Sequence, residues 1–141
     1  MPYSYMEHTA DIGIRAEGAA LEEVVEAAAE ALLNSVFDLE SVSSSISVSF
    51  GAEAPDEAAA IVEALNELLF IIDRHSLAVK RLRTVKVIKK AGSVLIIAAA
   101  HGEPFNEQRH EVKTEVKAAT YSGLKYEEKD VTCSFECVLD V

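Results

Sequence analysis

The chain has 141 residues, 50% of them hydrophobic, no tryptophan and a formal net charge of −11. That length suits one domain, 1–141, able to bury roughly 68–70% of its unfolded surface, so neither disulfides nor a structural metal is needed for folding. So acidic a balance argues against an autonomous RNA binder, since such affinity comes largely from Lys and Arg displacing counterions.

No apolar run approaches the roughly 18 residues of a membrane span. The opening MPYSYMEHTAD has neither the basic nor the apolar region of a secretory signal, so a cytoplasmic location without membrane contact is expected.

Ile12–Ile14 reads as a short strand, resuming one that breaks across His8-Thr9-Ala10-Asp11. From Leu21 the apolar residues Val24, Val25, Ala28, Leu32 and Val36 recur with helical period, and Glu22 and Glu23 suit a helix N-terminus. Ser41–Ser49 alternates Ser with Val and Ile, which predicts an edge strand rather than a tether. A second helix is predicted from Pro55, through Ile61, Leu65, Leu68, Leu69 and Ile72, to Arg74–His75.

Strand period dominates the rest. Val79–Lys89 and Ser93–His101 flank the turn signal Ala91-Gly92, and Glu115–Glu127 and Val131–Leu139 flank a charged turn at Glu128–Asp130. The order β-β-α-β-α-β-β-β-β has too few helices for a doubly wound sheet. It predicts a two-layer α+β domain, with two helices on one face of a mainly antiparallel sheet.

Charge is uneven along this order: residues 1–73 carry −14 and residues 74–141 carry +3. Lys80, Arg81, Arg83, Lys86, Lys89 and Lys90 read as a solvated strand face, able to meet an acidic protein or a phosphate backbone only inside a complex. Cys133 and Cys137 share a strand face about 13 Å apart, too far for a disulfide, and read as two buried thiols. No nucleotide-binding loop, serine elbow or HExxH motif is present, and His8, His75, His101 and His110 are scattered.

Four segments stand out: His8-Thr9-Ala10-Asp11; Leu65-Asn66-Glu67-Leu68-Leu69; Glu115-Val116-Lys117-Ala118-Ala119-Thr120-Tyr121, preceded by Gly102-Glu103 and Arg109-His110; and Leu139-Asp140-Val141. Together, from Tyr5 to Val141, they resemble the archease family. The resemblance implies a small α+β protein that activates the RtcB-type, GTP-dependent tRNA-splicing RNA ligase. It promotes guanylylation of the ligase histidine and repeated turnover, as a protein cofactor rather than an enzyme. A chaperone-like role toward a tRNA-modifying enzyme such as a tRNA methyltransferase is the alternative.

On sequence chemistry alone, Asp11 reads as a turn cap and Asp140–Val141 as a fraying chain end. The resemblance implies instead that Asp11, Asp140 and the terminal carboxylate of Val141 bind Ca²⁺, with Mg²⁺ or Mn²⁺ as substitutes. Three carboxylates within about 4 Å repel by roughly 4 kcal/mol per pair at an effective dielectric of 20, so they need a cation, and all-oxygen ligation suits a hard one. Such a site requires the first and last strands to be neighbours.

Lys117 either pairs with Glu115 on the same strand face or presents its charge to the ligase or its nucleotide. His8 either orients Asp11 or is a half-buried strand residue. Ser122 and Asn106 depart from the family's usual His and Asp, which bears on partner affinity. A metal hydrolase built on His8, Asp11 and His110 is a third reading, with no nucleophile–base pair to support it.

Overall fold

A computed structural model describes residues 2–6 and 11–141. In chain order it has β1 (Tyr3–Met6), β2 (Ile12–Gly18), α1 (Leu21–Val36), β3 (Ile46–Ala54), α2 (Glu57–His75), β4 (Leu77–Lys90), β5 (Ser93–Pro104), β6 (Ala118–Lys129) and β7 (Thr132–Asp140). The predicted α+β class and antiparallel pairing hold, with the strands divided between two sheets. One has the order β1-β2-β7-β6 and the other β3-β5-β4. Both helices touch both sheets, and the core forms around them.

The helices form where the apolar period placed them. Leu21, Val24, Val25, Ala28, Leu32 and Val36 of α1 are all buried, but so are Ala27, Ala29, Ala31 and Leu33. That wide arc lets one helix serve two sheets, and small alanines allow the close approach. In α2, Asp56 is the N-cap and its Oδ1 accepts from the Ala59 N–H at 2.9 Å. Pro55 therefore precedes the cap rather than opening the helix, because the Asp56 side chain satisfies a free first-turn donor. Ser76 ends the helix in the left-handed region at φ 50°.

The predicted hairpin turn joins β4 and β5, with Gly92 at φ +74°. The edge strand predicted at Ser41–Ser49 lies further along, as β3, and does form a sheet edge. Arg81, Arg83, Lys86, Lys89 and Lys90 are exposed along β4, as expected of a solvated face. In β7, Cys133, Phe135, Cys137 and Leu139 face the core, while Val131 falls in the turn and is 81% exposed.

The two sheet centres place the chain's motifs. β2 runs antiparallel to β7 from Ile12↔Leu139 to Gly18↔Cys133, and β6 flanks β7 on its other side, with Ala118 opposite Asp140. The end of the last strand therefore lies between the strand that follows Asp11 and the strand that follows Lys117. Among the described residues β1 is a separate short strand at the sheet edge, paired with β2.

Candidate functional site

The β2–β7 ladder ends at Ile12↔Leu139, so Asp11 and Asp140 are the next residues outward on the two strands. Asp11 is half-buried, Asp140 is exposed, and Val141 packs its side chain partly against the core. The third element arrives from β6, where the Lys117 N–H donates to the Asp140 carbonyl at 2.7 Å. Asp11, Asp140, Val141 and Lys117 thus converge at one end of the four-stranded sheet. His8 lies outside the described residues.

Among the described residues no three His, Cys, Asp or Glu side chains gather in metal-binding geometry. The expected donor set needs only two such side chains, because its third oxygen donor is a chain-end carboxylate. The ladder register brings Asp11 and Asp140 to the same end of the sheet, and their side chains offer oxygen donors, the type that hard divalent cations take.

β6 begins at Ala118, so Glu115 and Lys117 lie just before it rather than on a strand. Both are exposed on either side of buried Val116, and no ion pair joins them among the described residues. Val116 is buried in the core, and the segment is tied to the end of α1 by an antiparallel bridge between Val112 and Phe37, beside which the Lys113 N–H donates to the Val36 carbonyl at 2.7 Å. Glu115 and Lys117 instead line a cleft of about 940 Å³ between α2 and the 105–117 loop, with Phe70, Phe105 and Val112 among its apolar walls.

The loop is held from below by a carboxylate that the sequence did not mark as buried. Glu103, 7% exposed, receives the Ser43 N–H at 2.8 Å, Arg109 Nη1 at 3.0 Å and His110 Nε2 at 2.9 Å. His110 Nδ1 accepts from the Asn106 N–H at 3.0 Å, which leaves the proton on Nε2. The Ser43 amide, then His110 and Arg109, hold the Glu103 carboxyl below the usual carboxylate range.

With both ring nitrogens engaged, His110 is a structural residue and not a donor for a hydrolytic metal. Glu103-x₅-Arg109-His110 was visible as a spacing, but nothing local to it announces burial. His75 is exposed at the end of α2 and His101 is half-buried in β5.

The two positions expected to depart from the family pattern, Asn106 and Ser122, lie in the loop after β5 and within β6. Asn106 closes a tight turn, its Oδ1 accepting from the Gln108 N–H at 2.9 Å. Ser122 is exposed where the β6–β7 register shifts between Thr120 and Lys125. Asn66 on α2 was given no role on the sequence, and its amide makes two hydrogen bonds to the Ala119 backbone. The signal available was an uncharged amide among the helix residues Leu65, Leu68 and Leu69.

No helix among the described residues is long and apolar enough to cross a membrane. Residues 3–141 match the archease protein family (MTH1598/TM1083). The chain is 36% identical to the protein archease of Pyrococcus furiosus over 125 residues, 89% of this chain and 87% of that one. It is 33% identical to the protein archease of Methanopyrus kandleri over 141 residues, 100% of each.

The solution structure of protein 1598 of Methanobacterium thermoautotrophicum covers 99% of both chains with a TM-score of 0.84 and 29% identity. The crystal structure of an archease of Thermotoga maritima, described as a possible chaperone, covers 96% of this chain and 94% of that one. Its TM-score is 0.60 at 20% identity, a likeness of fold. On the family match across nearly its whole length and these relatives, the chain belongs to the archease family.

Proposed function

We propose that this chain is a protein cofactor of the RtcB-type tRNA-splicing RNA ligase, promoting ligase guanylylation and multiple turnover through a calcium site at the Asp11–Asp140 end. Asp11, Asp140 and the Val141 carboxylate are the ligands in this reading, with Mg²⁺ or Mn²⁺ able to replace Ca²⁺. Bound there, a divalent cation would offset two of the three clustered negative charges. Lys117 stands beside it as an exposed cation, and its backbone is tied to Asp140. The chain carries no RNA-binding role of its own and meets RNA within the complex.

The observation that carries this reading is the ladder register, in which Asp11 and Asp140 follow directly on the paired Ile12 and Leu139. Membership of the archease family is the ground from which the reading starts.

The test is reconstitution with a purified RNA ligase and GTP, following guanylylation and ligation over many turnovers. Asp11→Ala and Asp140→Ala are expected to remain folded and to lose both stimulation and the rise in melting temperature that calcium confers. If Ca²⁺ binds only the folded state, a hundredfold excess over its Kd adds about 2.7 kcal/mol of stability. Full stimulation by both variants would end the metal-site reading.

A second reading is a chaperone-like module for a tRNA-modifying enzyme such as a methyltransferase, favoured by the possible-chaperone description of the Thermotoga protein. It predicts rescue of that enzyme's solubility with no effect on ligase guanylylation.

A further inference from the structure

β6 is the outermost strand of its sheet. On such a strand alternate residues turn their N–H and C=O away from the neighbouring strand, usually toward water. Ala119, opposite Leu139, is one of these, yet it is 4% exposed and faces α2. Its two backbone groups are met by one side chain. Asn66 Nδ2 donates to the Ala119 carbonyl at 3.0 Å, and Asn66 Oδ1 accepts from the Ala119 N–H at 2.8 Å.

A carboxamide offers a donor and an acceptor side by side, so it can stand in for a missing strand at that point. A carboxylate has the acceptor only, and a methyl group has neither.

The position of this clamp matters more than its strength. Ala119 is two residues beyond Lys117, whose N–H is bonded to the Asp140 carbonyl, and one beyond Ala118, which is opposite Asp140. Upstream, residues 113–117 form no strand, so Lys117 sits where an irregular segment becomes a ladder. Whatever fixes Ala119 fixes the point from which Lys117 is presented.

We propose that Asn66 is a positioning residue, whose paired hydrogen bonds to Ala119 hold Lys117 against Asp140 in the arrangement that ligase activation uses. This rests on the function proposed above and assigns Asn66 a part in it.

The test uses the full chain with Asn66→Asp, which preserves shape while setting an oxygen against the Ala119 carbonyl, and Asn66→Ala as a second variant should the first not fold. Ile96→Val, in the buried centre of β5, is the control for lost stability without a change at the clamp. Amide exchange at Ala119 and Lys117 is measured by NMR, calcium affinity by calorimetry, and maximal ligase guanylylation at saturating activator.

The clamp variants are expected to exchange about tenfold faster at both amides and to lose maximal stimulation by about tenfold. Ile96→Val is expected to melt earlier with both readouts unchanged. Faster exchange with full maximal stimulation overturns the proposal, as does unchanged exchange at Lys117. If the wild-type chain does not stimulate the ligase, the functional reading fails on its own. The clamp is then judged by calcium: about tenfold weaker binding in Asn66→Asp supports positioning of Asp140, and equal binding overturns it.

Discussion

Gly102→Ala should be among the most damaging single-methyl additions in this chain. Gly102 lies in β5 opposite Val79 of β4 and Ile46 of β3, beside the irregularity between Val79 and Arg81. A Cβ built there falls 2.1 Å from the Ala78 carbonyl oxygen and 2.8 Å from the Val79 Cα. Both are backbone atoms, so no rotamer change relieves the contact. β4 would have to retreat by about 0.9 Å to restore a tolerable separation.

That movement strains the β4–β5 pairing and shifts the neighbouring Glu103, whose carboxylate ties Ser43, Arg109 and His110 together. Overpacking of this kind costs about 2–3 kcal/mol, which for a chain of this length lowers the melting temperature by roughly 6–12 °C. Gly51→Ala is the matched control. Its added Cβ meets Leu95 Cδ1 at 3.6 Å and the Ile96 carbonyl oxygen at 3.9 Å, ordinary contacts. It is expected to be neutral or to stabilise by about 0.5 kcal/mol through a less flexible unfolded chain. Calorimetry on both variants checks the pair. A Gly102→Ala melting temperature within about 1 °C of wild type would refute the close-approach argument.

Lys117→Ala should leave the melting temperature within about 2 °C, since the side chain is exposed and makes no ion pair among the described residues, while abolishing ligase stimulation. Parallel melting curves and guanylylation assays check both halves. Glu103 has a folded-state pKa below its ordinary 4.5, so its contribution is present above that value and is lost as pH falls through the folded pKa. The deficit of Glu103→Gln relative to wild type should accordingly be full near neutral pH and shrink below pH 4.5; a constant deficit down to roughly pH 3 would contradict the linkage. Burial pushes the Cys137 thiol up to about 12, and Cys133 is also buried, so neither should react with a thiol reagent until denaturant opens the fold. Stoichiometric labelling under native conditions would be the contrary result.

The sequence by itself determined the elements whose pattern is local. Period 3.6 placed α1 and α2, the Ala91-Gly92 turn set the β4–β5 hairpin, and alternation in β7 chose its buried face, because each depends on residues a few positions apart. The motif set from HTAD to the terminal Asp-Val identified the family, as the relatives bear out.

Tertiary structure decided which strands meet beyond the hairpins. Nothing local to β7 says that it lies between β2 and β6, or that the strands divide into two sheets around helices apolar enough to serve both. It likewise turned Glu115–Lys117 from a predicted strand into a cleft wall, next to a bridge between Val112 and Phe37 that lie 75 residues apart. Asn66 and Ala119 stand 53 residues apart, and Glu103 and Ser43 stand 60 apart. Side-chain bonds to remote backbone form only once packing has removed water from both partners, and no sequence window contains that condition.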